Sequence, residues 1–94
     1  MNQREKSKTG NVFLELGFDP EEAAVLEMRA TLMSDLRTCI ENEKWTQNEA
    51  AERLGIAQSR VSDLVRGKWE KFSLEMLIIL ESRLGRKVKV EFAA

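Results

Sequence analysis

The sequence predicts an all-α domain of four to five helices, closed by one short C-terminal β-strand. Three observations carry this expectation. Apolar residues recur at helical spacing after Asp19-Pro20. Short segments with inward-facing apolar residues end in turn at Gly55, Gly67 and Gly85. Only the final stretch, KVKVEF, alternates apolar with charged residues. At 94 residues the chain is one domain with a possible tail. A chain of that size buries only about two-thirds of its unfolded surface, so association with a partner would help it.

Residues 1–10, MNQREKSKTG, are polar, charged and aperiodic. They predict a disordered tail, leaving residues 11–94 as the folded domain. Residues 11–18, NVFLELGF, are apolar but too short to stand alone, and should fold back onto the domain or onto a partner. The first long helix then opens with Asp19 as N-cap, Pro20 at the first helical position and Glu22 three residues after the cap. Val25, Met28, Leu32, Leu36, Cys39 and Ile40 form its expected apolar stripe. Arg29 interrupts that stripe; it either pairs with an acid at the rim or lays its stem along the apolar surface. Cys39 reads as a small buried hydrophobe rather than a reactive thiol.

Thr46 and Glu49 form a capping box for the second helix. Ala50, Ala51 and Leu54 face inward, and Gly55 stops it. The third helix runs from near Gln58 to Arg66, with Gly67 as its stop and Val61, Leu64 and Val65 on one side. Ser73 caps a fourth helix, LEMLIILESRL, with Phe72 and Leu77 placed for a hydrophobic staple. The closing strand puts Val88, Val90 and Phe92 on one face and Lys87, Lys89 and Glu91 on the other.

Composition excludes several chemistries. With no histidine and one cysteine, neither a tetrahedral N/S zinc site nor a Cys–His or Ser–His catalytic pair can be built. No apolar run is long enough to cross a membrane, and the start has no apolar secretory signal. The expectation is a cytoplasmic, cofactor-free, non-enzymatic protein. The overall charge of −1 hides a polarity: residues 21–43 sum to −4 and residues 44–72 to +2. A basic face suits phosphate contact even where the whole chain is not basic.

Residues 46–68, TQNEAAERLGIAQSRVSDLVRGK, contain two short helices joined by a tight glycine turn, with the small Ala51 where they cross. That is a helix-turn-helix, whose second helix lies in the DNA major groove with its first residues at the base edges. With Val61 at the centre of the buried face, Ser59, Asp63 and Arg66 point away, Arg60 and Ser62 flank them, and Gln58 projects from the start. The outward set is polar, small at its N-terminal end, and closes in arginine. Asp63 either accepts from a cytosine amino group or pairs with Arg60 or Arg66 one turn away. Trp45 and Trp69 flank the motif and read as core or dimer contacts rather than base-stacking platforms.

This stretch resembles the helix-turn-helix of the Xre/Cro-repressor family at Thr46-Gln47, Ala50-Ala51, Leu54-Gly55-Ile56, Gln58-Ser59, Val61-Ser62 and Arg66-Gly67-Lys68. Over residues 11–92 the chain is similar to the small Xre-type antitoxins of HigA-like toxin–antitoxin modules. The resemblance implies a dimer that represses its own operon and neutralises a toxin, usually an mRNA-cleaving ribonuclease of the RelE/HigB kind. It also implies roles for individual residues. Gln47 would touch a phosphate, Gln58 would read a base, Ser59 and Asp63 would be variable reading positions, and Arg66 and Lys68 would contact phosphates.

Partners follow from surplus apolar surface. Apolar residues of the fourth helix span well over half its circumference, more than one packed face can cover. Met76, Ile79 and Leu80 are therefore expected at a contact with a second copy, together with Val88 and Val90 of the strand. The strand's ladder partner is the same strand of another protomer, residues 11–18, or the toxin. A two-fold homodimer would space two recognition helices for a palindromic double-stranded operator. The competing reading is a stand-alone Xre-type regulator, a phage-type repressor or controller protein, with no toxin.

Overall fold

The computed structural model describes residues 11–93; the expected tail, residues 1–10, lies outside them. Asn11 leads into the first helix. Its carboxamide oxygen accepts from the Phe13 N–H at 2.9 Å, and its amide donates to the Ala23 carbonyl at 2.7 Å. One residue thus caps the short helix α1 (Val12–Glu15) and ties it to α2 (Pro20–Glu43). Asp19 caps α2 through the Glu22 N–H, with Pro20 leading, as the sequence requires. Then follow α3 (Gln47–Leu54), α4 (Gln58–Val65), a 3-10 turn (Trp69–Lys71) and α5 (Leu74–Arg83).

Four of the five described α-helices end in one device. In the Schellman motif a left-handed residue lets its own N–H and that of the following residue turn back onto carbonyls of the last turn. At the end of α1, Gly17 bonds Leu14 and Phe18 bonds Phe13; after α2, Lys44 bonds Glu41 and Trp45 bonds Ile40. After α4, Gly67 bonds Leu64 and Lys68 bonds Asp63; after α5, Gly85 bonds Ser82 and Arg86 bonds Glu81. After α3, the Gly55 and Ile56 N–H groups both reach Ala51. The motif brings side chains five apart together. Phe18 meets Phe13 edge-on, while Lys68 and Arg86 are carried back to the acids Asp63 and Glu81.

Two apolar clusters result. The main core joins Met33, Leu36 and Ile40 of α2 to Ala50 and Leu54 of α3, Val61 and Leu64 of α4, Phe72, and Leu77 and Leu80 of α5. A smaller one holds Phe13, Ala23 and Leu26. Above it Phe13, Phe18 and Trp69 stack edge-to-face with centroids 5.9–6.1 Å apart. Trp45 packs on the main core with the Arg53 guanidinium over its ring. Both tryptophans therefore serve packing within the chain.

Several expectations need correcting. The buried stripe of α2 runs through Ala23, Leu26, Met33, Leu36 and Ile40, whereas Val25 and Met28 are exposed. Small Ala23 faces inward because α1 packs directly on it. Cys39 is half-buried. Arg29 is half-buried, with its Nε shut away from solvent and unpartnered, so its stem rather than an ion pair accounts for its place in the stripe. Leu80, expected at a contact between copies, is wholly buried in this chain's core. The outward apolar pair on α5 is instead Ile78 and Ile79, and Met76 is half-buried against the core.

The C-terminal strand is absent: no strand occurs among the described residues, and residues 86–93 have no regular secondary structure. A strand needs a ladder partner, and the intrachain candidate, residues 11–18, is taken up by α1. Val88 is half-buried, while Val90 and Phe92 are 66% and 95% exposed. The segment is held at its root by Arg86. Its Nη2 donates to Asp35 of α2 at 2.8 Å, and its Nε lies 3.2 Å from Glu81. No helix among the described residues is long and apolar enough to cross a membrane.

Candidate DNA interface

The α3–turn–α4 unit is built from short-range signals. The Thr46 hydroxyl accepts from the Glu49 N–H at 3.1 Å, and the Glu49 carboxylate accepts from the Thr46 N–H at 2.8 Å. The capping box is therefore complete on both sides. Gly55 supplies the positive φ of +71° that turns the chain between the helices. The start of α4 differs from the start of α3. Its N-cap is Ala57, which offers no side-chain hydrogen bond. An uncapped helix N-terminus on an open surface suits an anion such as a DNA phosphate.

Gln58 and Ser59 stand exposed at that start, Gln47 is exposed at the first position of α3, and Arg66 is exposed just past the end of α4. These four form the free part of the surface. The remaining expected site residues are less free. Ser62 is half-buried. The guanidinium of Arg60 donates to the Lys71 carbonyl at 3.2 Å and lies 4.6 Å over the Phe72 ring. Asp63 pairs with neither Arg60 nor Arg66. Its nearest cation is Lys68, at 4.0 Å, returned to it by the left-handed Gly67. A carboxylate inside the basic stretch thus has a local cation, though one loose enough to yield to a phosphate or a base.

Two further groups of residues stand at this surface or behind it. Asn48, next to Gln47, lines a shallow concavity between α3 and α4 with Glu52, Ala57 and Gln58. Its place in the first turn of α3 is the signal that could have found it. Arg37 of α2 and Arg83 of α5 donate to the Val65 and Leu54 carbonyls, the last residues of α4 and α3, at 3.4 and 2.8 Å. Partners twenty-eight and twenty-nine residues apart leave no local signal.

A family model described as a helix-turn-helix domain matches residues 12–93. A solved structure named for the XRE family of transcriptional regulators is similar at a TM-score of 0.72 and 33% identity, over 78% of this chain and 82% of that one. The chain belongs to the XRE-type helix-turn-helix family. It is a DNA-binding transcriptional regulator, a non-enzymatic class. No curated protein matches the chain. In this XRE-type regulator the motif occupies α3 and α4, while α2 and α5 form the scaffold behind them.

Proposed function

We propose that this XRE-type regulator is a sequence-specific repressor that binds a palindromic operator as a homodimer, with the start of α4 reading bases. The observation that carries the reading is the exposure of Gln58 and Ser59 at the uncapped end of that helix. A glutamine amide can satisfy both the acceptor and the donor of an adenine edge. Gln47, Arg66 and Lys68 serve phosphates around it, and Ser62 and Asp63 border the reading surface. Ile78, Ile79, Val90 and Phe92 are exposed apolar residues available to a second copy, with Met76 at their edge; Val88 sits at the root of the same segment.

Two variants test the division of labour. Gln58→Ala should weaken operator binding by about 1–3 kcal/mol and relax sequence preference. Equal losses on operator and random DNA would refute a reading role. Arg66→Ala should weaken binding to every duplex and lower the slope of log affinity against log salt by about one. An unchanged slope would remove Arg66 from the phosphate contacts.

The further reading is that the regulator is an antitoxin that represses its own operon and neutralises a small mRNA-cleaving ribonuclease. It is supported by the resemblance over residues 11–92 and by the acidic α2, with Val25 and Met28 exposed beside Glu21 and Glu22. Toxic ribonucleases of this kind are usually basic, so charge would favour docking there. The stand-alone regulator is the competing reading, favoured by a family match that extends to DNA binding alone. Native mass spectrometry of the chain from its own cells separates them. A stoichiometric small basic partner supports the antitoxin, and a bare homodimer from cells expressing the neighbouring genes supports the regulator.

A further inference from the structure

The last carbonyls of any helix lack intrahelical partners and carry the negative end of its dipole. In this protein those of α3 and α4 are met by guanidinium groups from elsewhere in the fold. Arg83 of α5 donates through Nη1 to Leu54 at 2.8 Å, and Arg37 of α2 donates through Nη1 to Val65 at 3.4 Å. The same two nitrogens lie against the two turn glycines. A Cβ on Gly55 would stand 3.3 Å from Arg83 Nη1, and one on Gly67 would stand 3.6 Å from Arg37 Nη1. Each glycine therefore supplies a left-handed φ and also leaves room for a cation at the helix end.

We propose that Arg37 and Arg83 are positioning residues for base reading: each fixes the C-terminal end of one motif helix to the scaffold, and together they set the tilt at which α4 presents Gln58 and Ser59. The assignment rests on the reading of bases by the start of α4. Neither arginine needs to touch DNA. Apolar packing of Val61 and Leu64 is non-directional and tolerates small rotations, whereas a charge-assisted hydrogen bond to one carbonyl does not. An eight-residue helix is about 12 Å long, so a tilt of about 5° at one end moves the other by about 1 Å. Recognition groups must be held within about 0.5 Å to keep their hydrogen bonds. α3 thus gains a directional attachment at the end far from its capping box, and α4 at the end far from the reading residues.

The test compares R37Q, R83Q, R37K and R83K with the wild-type chain on two probes. One is the duplex that the wild-type chain selects from a randomised library; the other is a random-sequence duplex. Each glutamine variant should lower the ratio of specific to random affinity roughly tenfold, with the salt slope unchanged because no phosphate contact is removed. Each lysine variant should recover part of the ratio, since it keeps a cationic donor but loses the planar fork. Should a glutamine variant be unfolded in a parallel thermal melt, its lysine counterpart carries the comparison and should show the smaller fall. Parallel losses on both duplexes, or an unchanged ratio, would overturn the proposal. Gln58→Ala is run beside them. If it lowers the ratio and the arginine variants do not, positioning alone fails; if it leaves the ratio unchanged, base reading by α4 fails and positioning falls with it.

Discussion

Phe72→Ala is expected to cause the largest loss of thermal stability of any single truncation proposed for this domain. Phe72 is buried in the main core where the 3-10 turn hands over to α5, and its ring also seats the Arg60 guanidinium. Truncating a buried phenylalanine costs about 3–5 kcal/mol, from lost transfer energy and the cavity left behind. A domain this small has about 5–15 kcal/mol in total. With each kcal/mol worth about 4–8 °C at this size, the midpoint should fall by at least about 12 °C. Thermal unfolding followed by circular dichroism checks it. A fall below about 5 °C would show that the core collapses around the missing ring. Phe72→Leu should recover much of the loss because it keeps most of the volume.

The second large effect is on pH dependence. Glu81 is 2% exposed, and neither carboxylate oxygen has a hydrogen-bond partner, although Arg86 Nε is 3.2 Å from one of them. Burial foremost, and then neighbouring Asp35, push its pKa up from 4.5 to about 7, against the pull of Arg86. The sign follows from proton counts. Between 4.5 and about 7 the folded state holds a proton that the unfolded state has released. Stability should therefore be greatest at the acid end of that window, fall as pH rises through it, and level off above about 7. The total loss is at most on the order of 3 kcal/mol. The chain has no histidine to obscure the window. Urea unfolding from about pH 5 to about pH 7.5 measures the slope, and Glu81→Gln should flatten it. A slope that survives in Glu81→Gln would assign the titration to another group.

What was legible in the sequence was what is encoded locally. Asp19, Thr46 and Ser73 cap the helices expected of them, and Gly55, Gly67 and Gly85 turn the chain where their spacing places them. A cap or a left-handed turn involves residues within one helical turn of each other, so its signature survives in a short string. The exposure of Gln47, Gln58, Ser59 and Arg66 is legible for the same reason: it follows from the phase of two short helices. The phase of α2 was not. A 24-residue helix facing two different clusters has no single apolar side, and the inward position of Ala23 depends on α1. The ion-pair partner of Asp63 is not legible locally, because the helix periodicity that favours Arg60 or Arg66 stops at Gly67, and the chain then doubles back with Lys68. The strand failed because alternation describes a face, while a strand also needs a neighbour. Leu80 is buried because apolar width on α5 does not imply exposure: α2 and α3 between them cover most of it.

The two apolar clusters touch through one side chain that packs on both, Trp69. A chain divided in this way is expected to open in two steps of unequal size, the clusters sharing a single helix. The larger holds the DNA-reading motif; the smaller holds α1 and the first turns of α2. Local opening has a free energy set by the contacts it breaks, so the amides of α1 should exchange with solvent long before those of α4. Opening of the N-terminal turn should then leave the reading surface assembled, with the indole of Trp69 at the boundary between them.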